Sequence, residues 1–574
     1  MVQIKLRLSF QNIFPEEAPE DVLSYLGQVS IESLLKVIGF CNTLPLPNYH
    51  NFFSNPDVAA EIRRRVSRYR YENRIADEPV VMSPEGALRI AEIILSNREL
   101  LIENNANASP DADEINLFKA FLLINDGLNG RQVIDEASEG NFEKLVDYCI
   151  TFSFPLADLA VYENNDREFA KLIYATIKKV EYLFAFLSSS AEYEGLRQGL
   201  MESYGVGSQE DFFREMKYLF AKLFTIKVQN DYLFQVEDEN TLRFLNSLVN
   251  ENLQEDEDYT NIKNSPLYRL EDDLFSVINY FFVVDKFYRS SKFKIKELYE
   301  SDAALVAKYG NFFSFFNKHF SENFLMKQLL DDIFGKKYFF RKEEREAELP
   351  REPDYYVRYQ NDVYIFENKD VMIAKAVKAS ADITQINTVF KAKFQKEGNR
   401  PVGIGQLVTT ILEMSEGEFR FDDYVNSKKH LTIYPILLIH DRIFQSLGIN
   451  YRLNTWFKEE ISERFGDKPV PFNVKSLTIL DINTLVVWRP HLKAKDRNFK
   501  DVLNLHLEKM NRIKKVNTPD QRLGLYRVQK NLGEQLAPLG DRPVPFGFDV
   551  KGFINNFIDI LPERDDAELG EITD

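Results

Sequence analysis

The stretch PDYYVRYQNDVYIFENK, Pro353–Lys369, carries two carboxylates and a lysine at the ends of what reads as a single hairpin. Suppose Asp354–Tyr359 and Asp362–Glu367 pair antiparallel across Gln360-Asn361. Tyr359 then faces Asp362, and by the same parity Asp354 faces Glu367. Opposed residues share one face of a sheet, with Cβ atoms about 5 Å apart. Lys369, two residues on, points to that face as well. A two-residue turn at Asn361-Asp362 would set Asp354 against Lys369 and still keep the three together; an odd-length turn would scatter them. Short hairpins favour two-residue turns containing Asn or Asp. Two carboxylates at that spacing can share one hard divalent cation, and the backbone carbonyl of Asn368 would point the same way. The lysine can then orient a water or stabilise charge on a scissile phosphate. Charged hairpin ends are usually solvated edge residues. Here Asp354 follows Pro353 at a strand start, Glu367 ends an apolar strand, and helical and buried-strand patterns flank the pair.

The elements that must hold these residues begin near Asn311. FFNKHFSENFLMKQLLDDIFG reads as a helix stopped by Gly335, and three strand-like runs follow: KKYFFRKEE, DYYVRY and DVYIFENK. ADITQINTVFKAKFQKEG is helical, and GIGQLVTTILEM places Ile404, Leu407, Val408 and Ile411 on one helical face. Gln406 lies off that stripe. HLTIYPILLIHD is a short buried strand. His440-Asp441 at its end reads as a polar pair satisfying loop backbone in preference to a catalytic pair. VKSLTILDINTLVVW adds one more apolar segment, and 495–516 reads as helical and basic. The front half reads as helical. Ser83 caps a helix with Pro84 at its first position and an apolar stripe of Leu88, Ile90, Ala91, Ile94 and Leu95. Further helices are expected near 109–130, 142–152, 166–190, 209–226 and 267–287, with the acidic run 250–266 as a loop or hinge.

The Pro353–Lys369 stretch resembles the PD-(D/E)XK motif of the restriction-endonuclease-like nucleases, and GIGQL resembles the Gln-bearing helix of their RecB-like branches. The resemblance covers roughly 311–445, with an extension to about 490, and leaves the front half aside. It implies a four-stranded mixed sheet flanked by helices, and Mg²⁺- or Mn²⁺-dependent phosphodiester hydrolysis. Carried over by position, Asp354 and Glu367 would bind metal and Lys369 would serve catalysis. Glu322, on the preceding helix, would be a further metal ligand, and Gln406 would support the site from behind. The expected fold class is α+β: a mainly helical region 1–300, a nuclease-like domain 311–490 and a basic helical extension 491–574.

Charge sorts the partners. The chain is −17 overall; residues 301–574 carry 41 Lys and Arg against 40 Asp and Glu, so the acidity belongs to the front half. Such a surface repels phosphate and suits protein contacts, a protein partner or homo-oligomerisation. Two segments are basic: 489–530, with 12 cations against 4 acids, and 371–400, with 6 against 2. Lys493, Lys495, Arg512 and Lys514 are the expected nucleic-acid contacts, with DNA favoured over RNA. Trp456 and Trp488 are expected in the core. Two cysteines, Cys41 and Cys149, are too few for a disulfide framework or a zinc site and suggest a cytoplasmic setting. No apolar run reaches the roughly 18 residues of a membrane span. No Walker A or HExxH motif is present. The leading expectation is therefore a metal-dependent endonuclease, with bacterial anti-phage defence or nucleic-acid processing implied by the resemblance alone. The alternatives are a catalytically idle scaffold of the same fold and a subunit that acts only with a partner protein.

Overall fold

The computed structural model describes residues 6–40, 49, 52–75, 78–103, 109–130, 142–157, 159, 166–251, 253–256, 258–335, 340–341, 353–427, 430–512, 533 and 535–559. The chain divides into two compact units. One comprises 4–133, 159–303 and 551–574; the other comprises 1–3, 134–158 and 304–550. None of the described helices is long and apolar enough to cross a membrane.

The first unit is mainly helical. Ser83 Oγ accepts from the Gly86 amide at 3.0 Å and caps Pro84–Ser96, whose expected apolar stripe is buried. Asp166–Leu187, Gln209–Val228 and Tyr280–Ser301 are the longer rods. The helix expected over 267–287 is overturned in its first half. Strands β1 (Leu233–Gln235), β2 (Leu267–Arg269) and β3 (Leu274–Val277) form an antiparallel sheet in the order β1-β3-β2. The acidic Glu271-Asp272-Asp273 turn breaks the run, and apolar residues on both sides are too few to distinguish a helical from a strand period. The 250–266 segment lies inside this unit, between β1 and β2, with Thr260–Asn264 helical.

The second unit is built on a mixed sheet. Its strands are β4 (Phe340–Arg341), β5 (Tyr355–Tyr359), β6 (Asp362–Lys369), β9 (Thr432–Ile439), β10 (Asn473–Val474) and β11 (Thr478–Asp481); between β6 and β9 lies a small separate hairpin, β7 (Lys396–Glu397) and β8 (Arg400–Pro401). The order is β4-β5-β6-β9, with β10 and β11 both on the far edge of β9. β4, β5 and β6 are antiparallel neighbours; β6, β9 and β11 are parallel. The expectation of four strands is thus exceeded at the β9 edge, where the 473–481 segment contributes two short strands instead of one apolar run.

Both faces of β6 are covered, which is why VYIF is a continuous apolar run. One face carries Val363 and Ile365 and meets Ile404–Glu416, Ile383–Phe394 and the helix Phe142–Ser153 through Leu407, Ile411, Phe390 and Val146. The other carries Tyr364 and Phe366. Tyr364 stacks on Tyr434 at 5.1 Å, and Phe334 and Phe499 pack beside it. The two tryptophans are buried, as expected.

A single cut near residue 300 differs from this arrangement at two places. Phe142–Ser153 supplies Val146, Cys149 and Ile150 to the core of the second unit, fixed further by Arg452–Asp147 at 2.5 Å. Conversely, Val550–Asp559 sets Phe553 and Phe557 against Tyr174 and Phe224 of the first unit. The expected boundary at 490/491 falls inside the helix Ile482–Ala494. A fragment beginning at residue 304 would expose the face that Val146, Cys149 and Ile150 cover. We expect it to be recovered aggregated or with a non-cooperative melt, whereas co-expression with 134–158 should restore a sigmoidal transition by circular dichroism.

Candidate functional site

The hairpin register pairs Tyr355 with Phe366 and Tyr359 with Asp362. By that register Asp354 stands opposite Glu367 across a two-residue Gln360-Asn361 turn, as the first of the two parities requires. Gln360 takes a left-handed φ of 56° to close the turn.

Glu367 lies at the end of the buried run of β6, and its side chain is fully enclosed. Among the described residues, no hydrogen-bond donor reaches either of its carboxylate oxygens. Its nearest cation is Lys369 Nζ, 3.7 Å from Oε2. Burial first, and then the charge of Asp354, push the Glu367 carboxyl well above the ordinary range; Lys369 opposes this, and the charge of Glu322 adds to it. The structure therefore brings Asp354, Glu367, Lys369 and the charge of Glu322 together at one end of the sheet.

Each neighbour is positioned by its element. Asp354 Oδ2 accepts from the Asn368 backbone amide at 2.7 Å. This fastens the start of one strand to the end of the other, and the contact described at Asn368 is its N–H, where the sequence suggested its carbonyl. Lys369 Nζ donates to Gln406 Oε1 at 2.9 Å, and the same oxygen accepts from the Gly403 amide at 2.8 Å. Gln406 thus turns toward the site and holds the lysine at the first turn of Ile404–Glu416. Glu322 sits in Phe316–Met326, a stretch of wide i→i+5 turns within the rod from Phe312 to Phe334. Such widening is frequent at functional sites. Beside Glu322, Ser321 Oγ donates to Asp370 Oδ2 at 2.6 Å and ties this helix to the residue after Lys369. On the Asn368 side, His440 Nε2 lies 2.7 Å from Asn368 Oδ1, an acceptor, so this ring nitrogen carries the proton. Asp441 accepts from the Ile443 amide at 3.1 Å, which is the loop-satisfying role expected of the pair. Ser321, Asp370 and the His440–Asn368 contact were not legible in the sequence, because they join segments 49 and 72 residues apart.

Among the described residues no three His, Cys, Asp or Glu side chains stand together at ligand spacing. Two observations nonetheless fit a divalent cation: a buried carboxylate whose two oxygens accept nothing, and a second carboxylate facing it. Hard cations take such oxygen ligands.

The basic residues expected to grip nucleic acid lie elsewhere. In register, Lys369 is level with Ile439 and Ile439 with Asp481, so Ile482–Ala494 begins at the Lys369 end of the sheet. Lys493 is its twelfth residue, about 17 Å along the rod. There it pairs with Asp332 at 2.5 Å. Lys500 pairs with Asp362, the first residue of β6, at 2.6 Å. Lys495 is exposed just after Ala494, Arg512 is bonded to Glu508, and Lys514 lies outside the described residues. The structure thus does not bring Lys493 to Glu367, and two of the four cations already have acidic partners.

Compared with family models, curated proteins and solved structures, the chain matches none.

Proposed function

We propose that the second unit is a divalent-metal-dependent nuclease that hydrolyses phosphodiester bonds, with DNA as the favoured substrate and Asp354, Glu367 and Lys369 as its reactive set. The observation that carries this reading is the buried Glu367 carboxylate, bare of hydrogen bonds, facing Asp354 with Lys369 beside it. Leaving such a group bare costs about 1–3 kcal/mol or more, and a site that keeps this cost needs a reason for it. The helix, the antiparallel β4-β5-β6 strands, and the return to a parallel β9 support the resemblance to PD-(D/E)XK nucleases at the level of element order.

In this reading Asp354 and Glu367 would hold the cation, and Glu322 would contribute negative charge. A cation bound by them would supply charge neutralisation at the phosphate and a more acidic water. Lys369 has three N–H donors. One is committed to Gln406 and one is turned toward Glu367, which leaves one for a phosphate oxygen or an attacking water. Gln406 is a positioning residue: it fixes where that donor points.

The direct test is incubation of the purified protein with plasmid, linear DNA and RNA in Mg²⁺, Mn²⁺ or EDTA. Cleavage with either metal and none in EDTA is expected. Cleavage that persists in EDTA would remove Asp354 and Glu367 from the metal role. Gln406→Leu should lower the rate at saturating substrate by about 10-fold or more while changing substrate affinity little, because the lost hydrogen bond to a charged donor is worth roughly 1.5–3 kcal/mol.

A further inference from the structure

We propose that the β7–β8 hairpin grips the nucleic-acid backbone beside the reactive end of the sheet; this rests on the nuclease reading above. Lys393, Lys396 and Arg400 are exposed, and none of their side chains makes a hydrogen bond, ion pair or ring contact among the described residues. Glu397 faces Arg400 across the hairpin, and their side chains form no ion pair. Four cations stand against this one acid over 391–400. Lys493 and Arg512, by contrast, are already paired with acids.

Position makes the hairpin more than a charged tip. A Cβ on Gly403 would stand 3.3 Å from Lys369 Cε and 2.9 Å from the Phe394 carbonyl, so the chain leaving the hairpin runs directly against the reactive lysine. Gly403 also holds φ +50°, which favours glycine. A Cβ on Gly405 would meet the Gln395 carbonyl at 2.6 Å and Pro401 Cβ at 2.8 Å, so the hairpin is seated on the first turn of Ile404–Glu416. The Val402 amide donates to the Gln395 carbonyl at 3.0 Å and closes the hairpin's base. The two glycines of GIGQ are therefore there for close backbone approach. Arg400 is three residues from Gly403, at most about 11 Å by Cα spacing. A nucleic-acid strand rises about 3.4 Å per nucleotide. Arg400 would then meet a phosphate within about three nucleotides of the one at Lys369, and Lys396 and Lys393 would extend the track. Unpaired cations on a seated hairpin reach phosphates without first breaking an ion pair, which is the chemistry of sequence-independent backbone contact.

The test is equilibrium binding of labelled DNA and RNA in EDTA, followed by fluorescence anisotropy over a range of salt, for the full-length wild type and for Lys396→Ala/Arg400→Ala. The variant should bind at least tenfold more weakly at low salt. Its plot of log affinity against log salt should be shallower by about 1.4–1.8, the loss of two phosphate contacts. Its melting temperature should be unchanged. An unchanged affinity and slope, with the wild type binding and cutting, overturns the hairpin alone. So does a loss that appears instead in Lys493→Ala/Lys495→Ala. A wild type that neither binds nor cuts any of these nucleic acids overturns the nuclease reading and the hairpin with it.

Discussion

Lys369→Ala is expected to cut nucleic acid about 10²–10³-fold more slowly than the wild type while binding it nearly as well, the magnitude typical of removing one preorganised charge donor from a reaction centre. The lysine's donor is aimed by Gln406, at 2.9 Å, and its remaining N–H is free for charge that builds only during reaction. That predicts a loss in turnover rather than in affinity. Stability will not be silent. A lysine read from the sequence alone would be taken as exposed and dispensable to the fold. Its side chain is only 16 % exposed, and it is the cation beside the buried Glu367. Removing it should cost roughly 1–3 kcal/mol. The separating measurement is single-turnover cleavage beside a thermal melt on the same preparation, well below the melting temperature. Full cleavage by a folded Lys369→Ala protein would take the lysine out of the chemistry.

The second large effect concerns Glu367→Gln in metal-free protein. The Glu367 carboxyl titrates well above its unfolded value, first because it is buried and then because Asp354 faces it. The unfolded chain therefore loses this proton first as pH rises, from about pH 4.3. Between there and the folded value the native state binds more protons, so stability falls with increasing pH and then levels off. Glutamine imitates the protonated form and can donate to Asp354. The variant should lack this part of the slope and melt higher than the wild type near pH 8, by roughly 1–3 kcal/mol in stability. Mg²⁺ or Mn²⁺ should reverse the ranking. Either ion should raise the wild-type melting temperature in a concentration-dependent way and leave Glu367→Gln almost unmoved. Equal metal-induced shifts in the two proteins would remove Glu367 from any metal site, whatever the nuclease assay reports.

These expectations depend on contacts of very different legibility. The pairing of Asp354 with Glu367 was readable because strand parity is local arithmetic: once a two-residue turn is assumed, which residues share a face follows. The burial of VYIF was readable for a similar reason, since an unbroken apolar run has to be covered on both sides. The strand at 267–277 was not, because three or four apolar residues on each side of an acidic turn fit either period, and only pairing with β1 decides between them. The interleaving of the two units was also out of reach. Amphipathic spacing in Phe142–Ser153 announces a buried face but does not name the surface that buries it.

What the amino-acid sequence determined by itself was therefore the candidate set as a local object: two carboxylates and a lysine on one side of a hairpin, with helices and a buried strand around them. Tertiary structure alone decided their chemical state and their surroundings. Glu367 is enclosed at the end of a strand that packing covers on both faces. Gln406 bonds Lys369 from a helix start where the glycines at 403 and 405 let the chain pass close to the lysine side chain and to the Phe394 and Gln395 carbonyls. The free cations of the β7–β8 hairpin stand beside the lysine for the same reason, while the richer basic run after residue 488 is carried away by a helix that travels back along the sheet to acids at its far end. Composition records how many charges a segment holds. Which of them remain unpaired, and which end of a strand they face, is set by long-range packing that no local pattern encodes.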